Sequence, residues 1–172
     1  ALGVPAAVVV PDSAPAAKLD AVRRLGAEIV PVPFDTWWRV MMDHHYDGVR
    51  GAFLHPVCDR DVIAGNGTVG LEIVEQCPDV DTVIVPYGGG GLSCGIATAV
   101  KSLAPRAKIF AAEVETAAPL APSLAANERR EAERTPSFVD GIGSTSVLEE
   151  MWPLVRELID ASVVVTLDAV SY

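Results

Sequence analysis

The chain has 172 residues, half of them apolar, and a formal charge of −10 at pH 7. That length suits one ordinary domain or two small lobes, and the acidic balance leaves no basic stripe to neutralise a nucleic-acid backbone. No run of about 18 apolar residues is present to cross a membrane, and the N-terminus lacks the basic segment of a signal peptide.

The run Ala6 to Val10, closed by Pro11, predicts a strand. Ser13 is placed to cap a helix with Pro15 in its first turn, carrying Ala17, Leu19, Ala21, Val22 and Leu25 on one face and stopped by Gly26. Glu28 to Val32 is the next strand, and Asp35 opens a helix with Trp37, Trp38, Val40, Met41 and Met42 that ends near Gly48. Ala52-Phe53-Leu54 reads as a short strand, the stretch from His55 to Gly67 as a loop with room for a helical turn, and Thr68 to Cys77 as a helix. Thr82 to Pro86 is a strand, Ser93 to Leu103 a helix, Ile109 to Val114 a strand and Pro119 to Ala126 a short helix. The mixed-charge run from Asn127 to Arg134 reads as a solvated loop or helix face, and Ser146 with Glu149 as a capping box before a helix to Leu158. Ala161 to Val165 is the last strand, and Asp168 opens a final helix. Strands rich in Val and Ile alternate with helices, the pattern of α/β proteins with a parallel sheet and helices on both faces.

The stretch Val83 to Ala97 carries the strongest chemical signal: a strand, then Gly88-Gly89-Gly90-Gly91, then a helix. Four consecutive glycines are costly to order. Such a junction aims backbone N–H groups and the positive end of a helix dipole at one point, which suits a phosphate. A GxGxxG fingerprint fails, because Ser93 or Cys94 stands at the last position, and a P-loop fails because Ile96 and Ala97 follow Gly95. Gly91-Leu92-Ser93-Cys94-Gly95 does match the GxSxG elbow of α/β-hydrolases, with Ser93 as nucleophile. Against it, His44, His45 and His55 all precede Ser93, whereas that fold places its histidine after the serine.

The other candidates are weaker. The three histidines lack the spacing of known metal sites, and Cys58, Cys77 and Cys94 fit neither a zinc site nor a CxxC pair, so they read as reduced thiols in the cytoplasm. Glu113 and Glu115 end a strand at the sheet edge where parallel-sheet ligands collect. The lysines Lys18, Lys101 and Lys108 sit at surface or helix-terminal positions, so a covalent lysine anchor is not evident.

Several blocks in order resemble the fold-type II pyridoxal-phosphate enzymes, tryptophan synthase β-like, within the threonine dehydratase, serine dehydratase and serine racemase group. These are Gly3-Val4-Pro5-Ala6 to Pro11, Ala14 to Lys18, Gly26 to Val30, His55-Pro56 with Val62 to Val69 and Leu71-Glu72, Val85 to Leu92 with Gly95-Ile96-Ala97, Asp140-Gly141-Ile142, Trp152-Pro153, and Val163 to Thr166. The resemblance implies a small-domain part over residues 1–56 and a large, cofactor-phosphate-binding part over 57–172, each incomplete. It implies that Gly88, Gly89, Gly90, Gly91 and Leu92 hold the phosphate of pyridoxal 5'-phosphate and that Gly141 lies near its ring. It places a divalent-cation ligand at Glu113 and a second at the Ala117 carbonyl, while Pro119 stands where a third, acidic ligand is expected. The Schiff-base lysine is expected before Ala1 and further cofactor contacts after Tyr172, so the chain reads as an internal fragment that is inactive alone.

The activity implied is deamination of a β-hydroxy amino acid such as threonine or serine to a 2-oxo acid and ammonia, by a homo-oligomer. Amino-acid racemisation, a non-catalytic phosphate-binding module and hydrolysis through Ser93 are the alternatives.

Overall fold

The computed structural model describes residues 3–139 and 141–171, so Asp140 of the Asp140-Gly141-Ile142 block lies outside the described residues. The chain divides into two compact units, Ala1–His55 and Pro56–Tyr172.

In the first unit, strands β1 (Ala7–Pro11) and β2 (Glu28–Val32) pair in parallel, Ala7 opposite Glu28 and Pro11 opposite Val32. The connecting helix α1 (Ala16–Arg24) starts after Pro15 with no side-chain cap, so Ser13 does not cap it. Gly26 ends it at φ +83°, a conformation glycine adopts without strain. Helix α2 (Phe34–Asp43) stops at His44, at φ 52°, four residues short of Gly48. Its Val40 is buried, whereas Trp38 and Met42 stay exposed. Ala52-Phe53-Leu54 forms no strand: Gly51 at φ +143° and Pro56 bracket a run too short to find a ladder partner.

The second unit holds a three-stranded parallel sheet, β3 (Thr82–Pro86), β4 (Lys108–Val114) and β5 (Ala161–Val165), in the order β3-β4-β5. Its largest correction to expectation is α3, which runs from Arg60 to Gln76 through the stretch expected to be a loop. Asp59 caps it by accepting the Asp61 N–H at 2.9 Å. The glycines that look like loop residues serve helix packing. A β-carbon at Gly67 would stand 3.3 Å from the Gly95 carbonyl oxygen, one at Gly70 2.7 Å from that of Ile96, and one at Gly95 2.4 Å from that of Ile63. Helix α3 therefore lies directly on α4 (Gly91–Leu103), backbone against backbone.

Helix α5 (Leu120–Ala126) ends at Asn127, φ 52°, and the charged run that follows is not helical. Helix α6 (Trp152–Leu158) begins after Met151, so Ser146 is no cap, and Glu149 instead pairs with Arg129 at 3.1 Å. The chain closes with α7 (Leu167–Ser171), whose first N–H donates to Glu115 at 2.7 Å. The core consists of Val85, Tyr87, Cys94, Ile96, Ala97, Val100, Ala107, Ile109, Ala111, Leu120, Val147, Met151, Val155 and Ile159. Among the described residues, no helix is long and apolar enough to cross a membrane.

Asp160 ties the strand starts together. It accepts the Ile109 N–H at 2.9 Å and pairs with Lys101 at 2.8 Å and Lys108 at 2.9 Å. Burial alone would raise its pKa, but the Ile109 N–H and the two ammonium groups outweigh burial and bring it down to about 2. A carboxylate with a lowered folded-state pKa adds stability above its unfolded value and loses it as pH falls toward the folded one. Asp160→Asn is therefore expected to cost about 2 kcal/mol at pH 6. In urea unfolding the gap to wild type should shrink steadily between about pH 5 and pH 2; a gap that does not change with pH would refute this role.

Candidate functional site

The glycine run lies at the carboxyl end of β3, where the strand hands over to α4. Tyr87 is still held by the sheet, its N–H donating to the Ala112 carbonyl at 2.8 Å. Gly90 takes φ +100° and caps α4 with no side chain. The first helical bond runs from the Cys94 N–H to the Gly90 carbonyl at 2.9 Å. The N–H groups of Gly91, Leu92 and Ser93 thus have no acceptor within the helix. Together with the helix dipole they form a positively polarised, flexible-free end suited to an anion.

Each glycine has a distinct reason, and the protein itself supplies most of them. A β-carbon at Gly91 would stand 2.8 Å from the Val57 carbonyl oxygen, and one at Gly89 2.7 Å from a Val57 methyl. At Gly90 the left-handed backbone adds strain to contacts of 3.3–3.4 Å with Tyr87. Only Gly88 has ordinary room, its nearest neighbours being Gly143 N at 3.5 Å and Ile142 Cα at 3.6 Å. The cost of the run is thus set largely by the segment at Val57, and not by a ligand alone.

The fold brings further expected residues to this loop. Ile142 and Gly143 lie against Gly88, which puts Gly141 one residue from that contact, exposed and with open space around it. Gly143, at φ +96°, sits on Ala117, where a β-carbon would come within 2.7 Å of the Ala117 methyl. Glu113 is fully buried on β4. Its Oε1 accepts the Leu120 N–H at 2.8 Å, and its Oε2 accepts the Ala121 N–H at 2.9 Å and the Ser162 hydroxyl at 2.6 Å. The Pro119 carbonyl accepts both the N–H and the hydroxyl of Ser123. A divalent cation asks for six or more free oxygen ligands. Both Glu113 oxygens and the Pro119 carbonyl are already engaged by protein donors, and Pro119 brings no carboxylate, so the residues present do not suit such an ion.

Ser93 is not presented as an exposed nucleophile. It is 1% exposed, and its hydroxyl donates back to the Gly90 carbonyl at 3.2 Å inside the first helical turn. Burial pushes the Cys94 thiol up to about 12, as it does that of Cys58, where Glu150 adds to the effect. The histidines divide: His44 and His55 stack with ring centres 4.4 Å apart, while His45 contacts Asp47 at 2.7 Å.

Tyr87 was missed by sequence reasoning. It is 1% exposed beneath Gly90, and its hydroxyl has no hydrogen-bond partner among the described residues. Burial raises its pKa well above the usual phenol value, so the group stays protonated. Only its place directly before the glycines hinted at a role.

The family described as pyridoxal-phosphate dependent enzyme matches residues 1–171. The chain belongs to that family. It is 38% identical over 170 residues to serine racemase of Oryza sativa subsp. indica, covering 98% of this chain and 50% of that protein. It is 36% identical over 165 residues to L-threonine ammonia-lyase of Thermotoga maritima, covering 95% of this chain and 41% of that protein. The solved structure of maize serine racemase superposes with a TM-score of 0.85 at 35% identity, covering 98% of this chain and 51% of that one. The chain thus spans about half the length of the curated relatives it matches. It has the fold-type II architecture of the pyridoxal-phosphate enzymes, with parallel sheets flanked by helices.

Two predictions follow from the loop geometry. Gly91→Ala should cost about 1–3 kcal/mol, because a backbone carbonyl cannot yield to the new methyl, whereas Gly88→Ala should leave stability within about 0.5 kcal/mol. Urea midpoints of the full chain check this, and equal losses at both positions would contradict it. Tyr87→Phe removes a buried donor that has no acceptor, so it should raise stability by about 1 kcal/mol; a loss of that size would show that the hydroxyl is satisfied in solution.

Proposed function

We propose that the glycine loop holds the phosphate of pyridoxal 5'-phosphate, in a protein that deaminates a β-hydroxy amino acid such as threonine or serine to a 2-oxo acid and ammonia. The observation that carries this reading is the strand–glycine–helix junction. Backbone N–H groups without helical acceptors, with Val57 packed against Gly89 and Gly91, suit a dianion.

In this reading the amides of Gly88, Gly89, Gly90, Gly91 and Leu92 bind and orient the phosphate, and Gly141 leaves open space for the ring. The unit from Pro56 onward serves as part of the large, phosphate-binding domain and the unit up to His55 as part of the small domain. The cofactor, when bound, supplies an electron sink for the carbanion left by loss of the substrate α-proton. This chain's contribution is to fix one end of that cofactor by charge and hydrogen bonding, so that its reactive end meets the substrate in one orientation.

Racemisation is the second reading. Serine racemases are as similar to this chain as threonine ammonia-lyase is, and loss of the same α-proton begins both reactions. Incubating the full-length protein with pyridoxal phosphate and L-threonine or L-serine separates the two. The expected outcome is 2-oxo acid and ammonia in equal amounts, with an absorbance band near about 410–420 nm on cofactor addition. D-serine without 2-oxo acid would favour the racemase, and neither product nor band would overturn the cofactor reading.

A further inference from the structure

The fully buried carboxylate of Glu113, which the resemblance makes a cation ligand, is bound instead by protein donors. Its two oxygens take three protein donors, the N–H groups of Leu120 and Ala121 and the hydroxyl of Ser162. One residue of β4 thereby fastens the start of α5 and a residue of β5 at once. The turn between them contains Ala117, whose N–H donates to the Val114 carbonyl at 2.9 Å. Ala117 is the floor on which Gly143 rests, and Gly143 and Ile142 in turn form the lip against Gly88. A continuous line of contacts therefore joins the carboxylate to the glycine loop. Pro119 adds no side-chain ligand, and its carbonyl already accepts twice from Ser123.

We infer that Glu113 is a positioning residue whose carboxylate, with Ser162, holds the 117–121 turn and through it the 142–143 lip of the glycine loop without any divalent cation. The positioning half rests on the pyridoxal-phosphate reading above, whereas the cation half stands apart from it. A negative carboxylate beside two helix-terminal N–H groups makes charge-assisted bonds that a neutral amide cannot reproduce. Glutamine at this position also offers a single acceptor oxygen for three donors.

The test uses the full-length protein in two measurements. Thermal unfolding in a chelator and in millimolar Mg²⁺, Mn²⁺ or Ca²⁺ should give midpoints within about 1 °C of one another; a midpoint raised several degrees by one cation and reversed by chelator overturns the cation half. Titration with pyridoxal phosphate should show Glu113→Gln weakened by about tenfold, the scale of one lost charge-assisted bond. Gly143→Ala, which forces the lip away from Ala117, should weaken binding too, and the double variant should fall short of the product of the single effects. Wild-type affinity in Glu113→Gln, or full additivity, overturns the positioning half. Should Glu113→Gln not fold, Ser162→Ala removes a single donor and serves in its place, with a smaller loss of affinity expected and none overturning. A wild-type chain that binds no pyridoxal phosphate overturns the proposed function and the positioning half together, while the thermal comparison still decides the cation half.

Discussion

Direct contact between the backbones of α3 and α4 is the constraint on which the rest of the second unit depends. Gly67, Gly70 and Gly95 let the two helices meet without intervening side chains, so the separation of the axes is set by main-chain atoms. Backbone atoms do not change rotamer, and such a contact leaves little slack. The start of α4 inherits that rigidity, and the start of α4 is where the glycine loop must aim its N–H groups. Val57, just before α3, then presses on Gly89 and Gly91 from the same side. Preorganisation of this kind removes ordering costs that a flexible loop would meet on binding an anion.

The polar groups around the loop follow a division of labour. Glu113 and Glu115 look alike in sequence, two acids at one strand end, yet Glu113 is buried and Glu115 exposed. Glu113 anchors α5 and Glu115 receives the first N–H of α7. Both complement helix N-termini, where a negative charge is favourable. The orphan hydroxyl of Tyr87 is the exception to this economy, since it lies in the core with nothing to bond.

Much of this was legible in the sequence because short Val/Ile runs and flanking Pro and Gly residues mark parallel strands clearly. Strand β2 begins and ends at the expected residues, as do β3 and β5. The order of motif blocks also pointed to the right family. The failures share a cause. Gly65, Asn66 and Gly67 carry strong loop propensity, and only a second helix, distant in sequence, makes glycine the right residue inside α3. Ser146 and Glu149 satisfy a local capping pattern, but Arg129 claims Glu149 from elsewhere in the chain. For the site, the loop itself was evident, whereas the reason for each glycine was not. Val57 lies more than thirty residues earlier, and no local pattern announces a carbonyl waiting 2.8 Å from Gly91. The same holds for Ser162, which reaches Glu113 across 49 positions.

The charge knot at Asp160 lies at the opposite end of the sheet from the glycine loop, among the residues that begin β4 and β5 and the last turn of α4. The strand starts are thus secured at one end of the sheet, as the Ser162–Glu113 bond ties β4 to β5 toward the other. Substitutions around the glycine loop leave this tie at the strand starts in place. A sheet arranged in this way separates the inheritance of a scaffold from the diversification of its specificity, and one framework can serve many related chemistries.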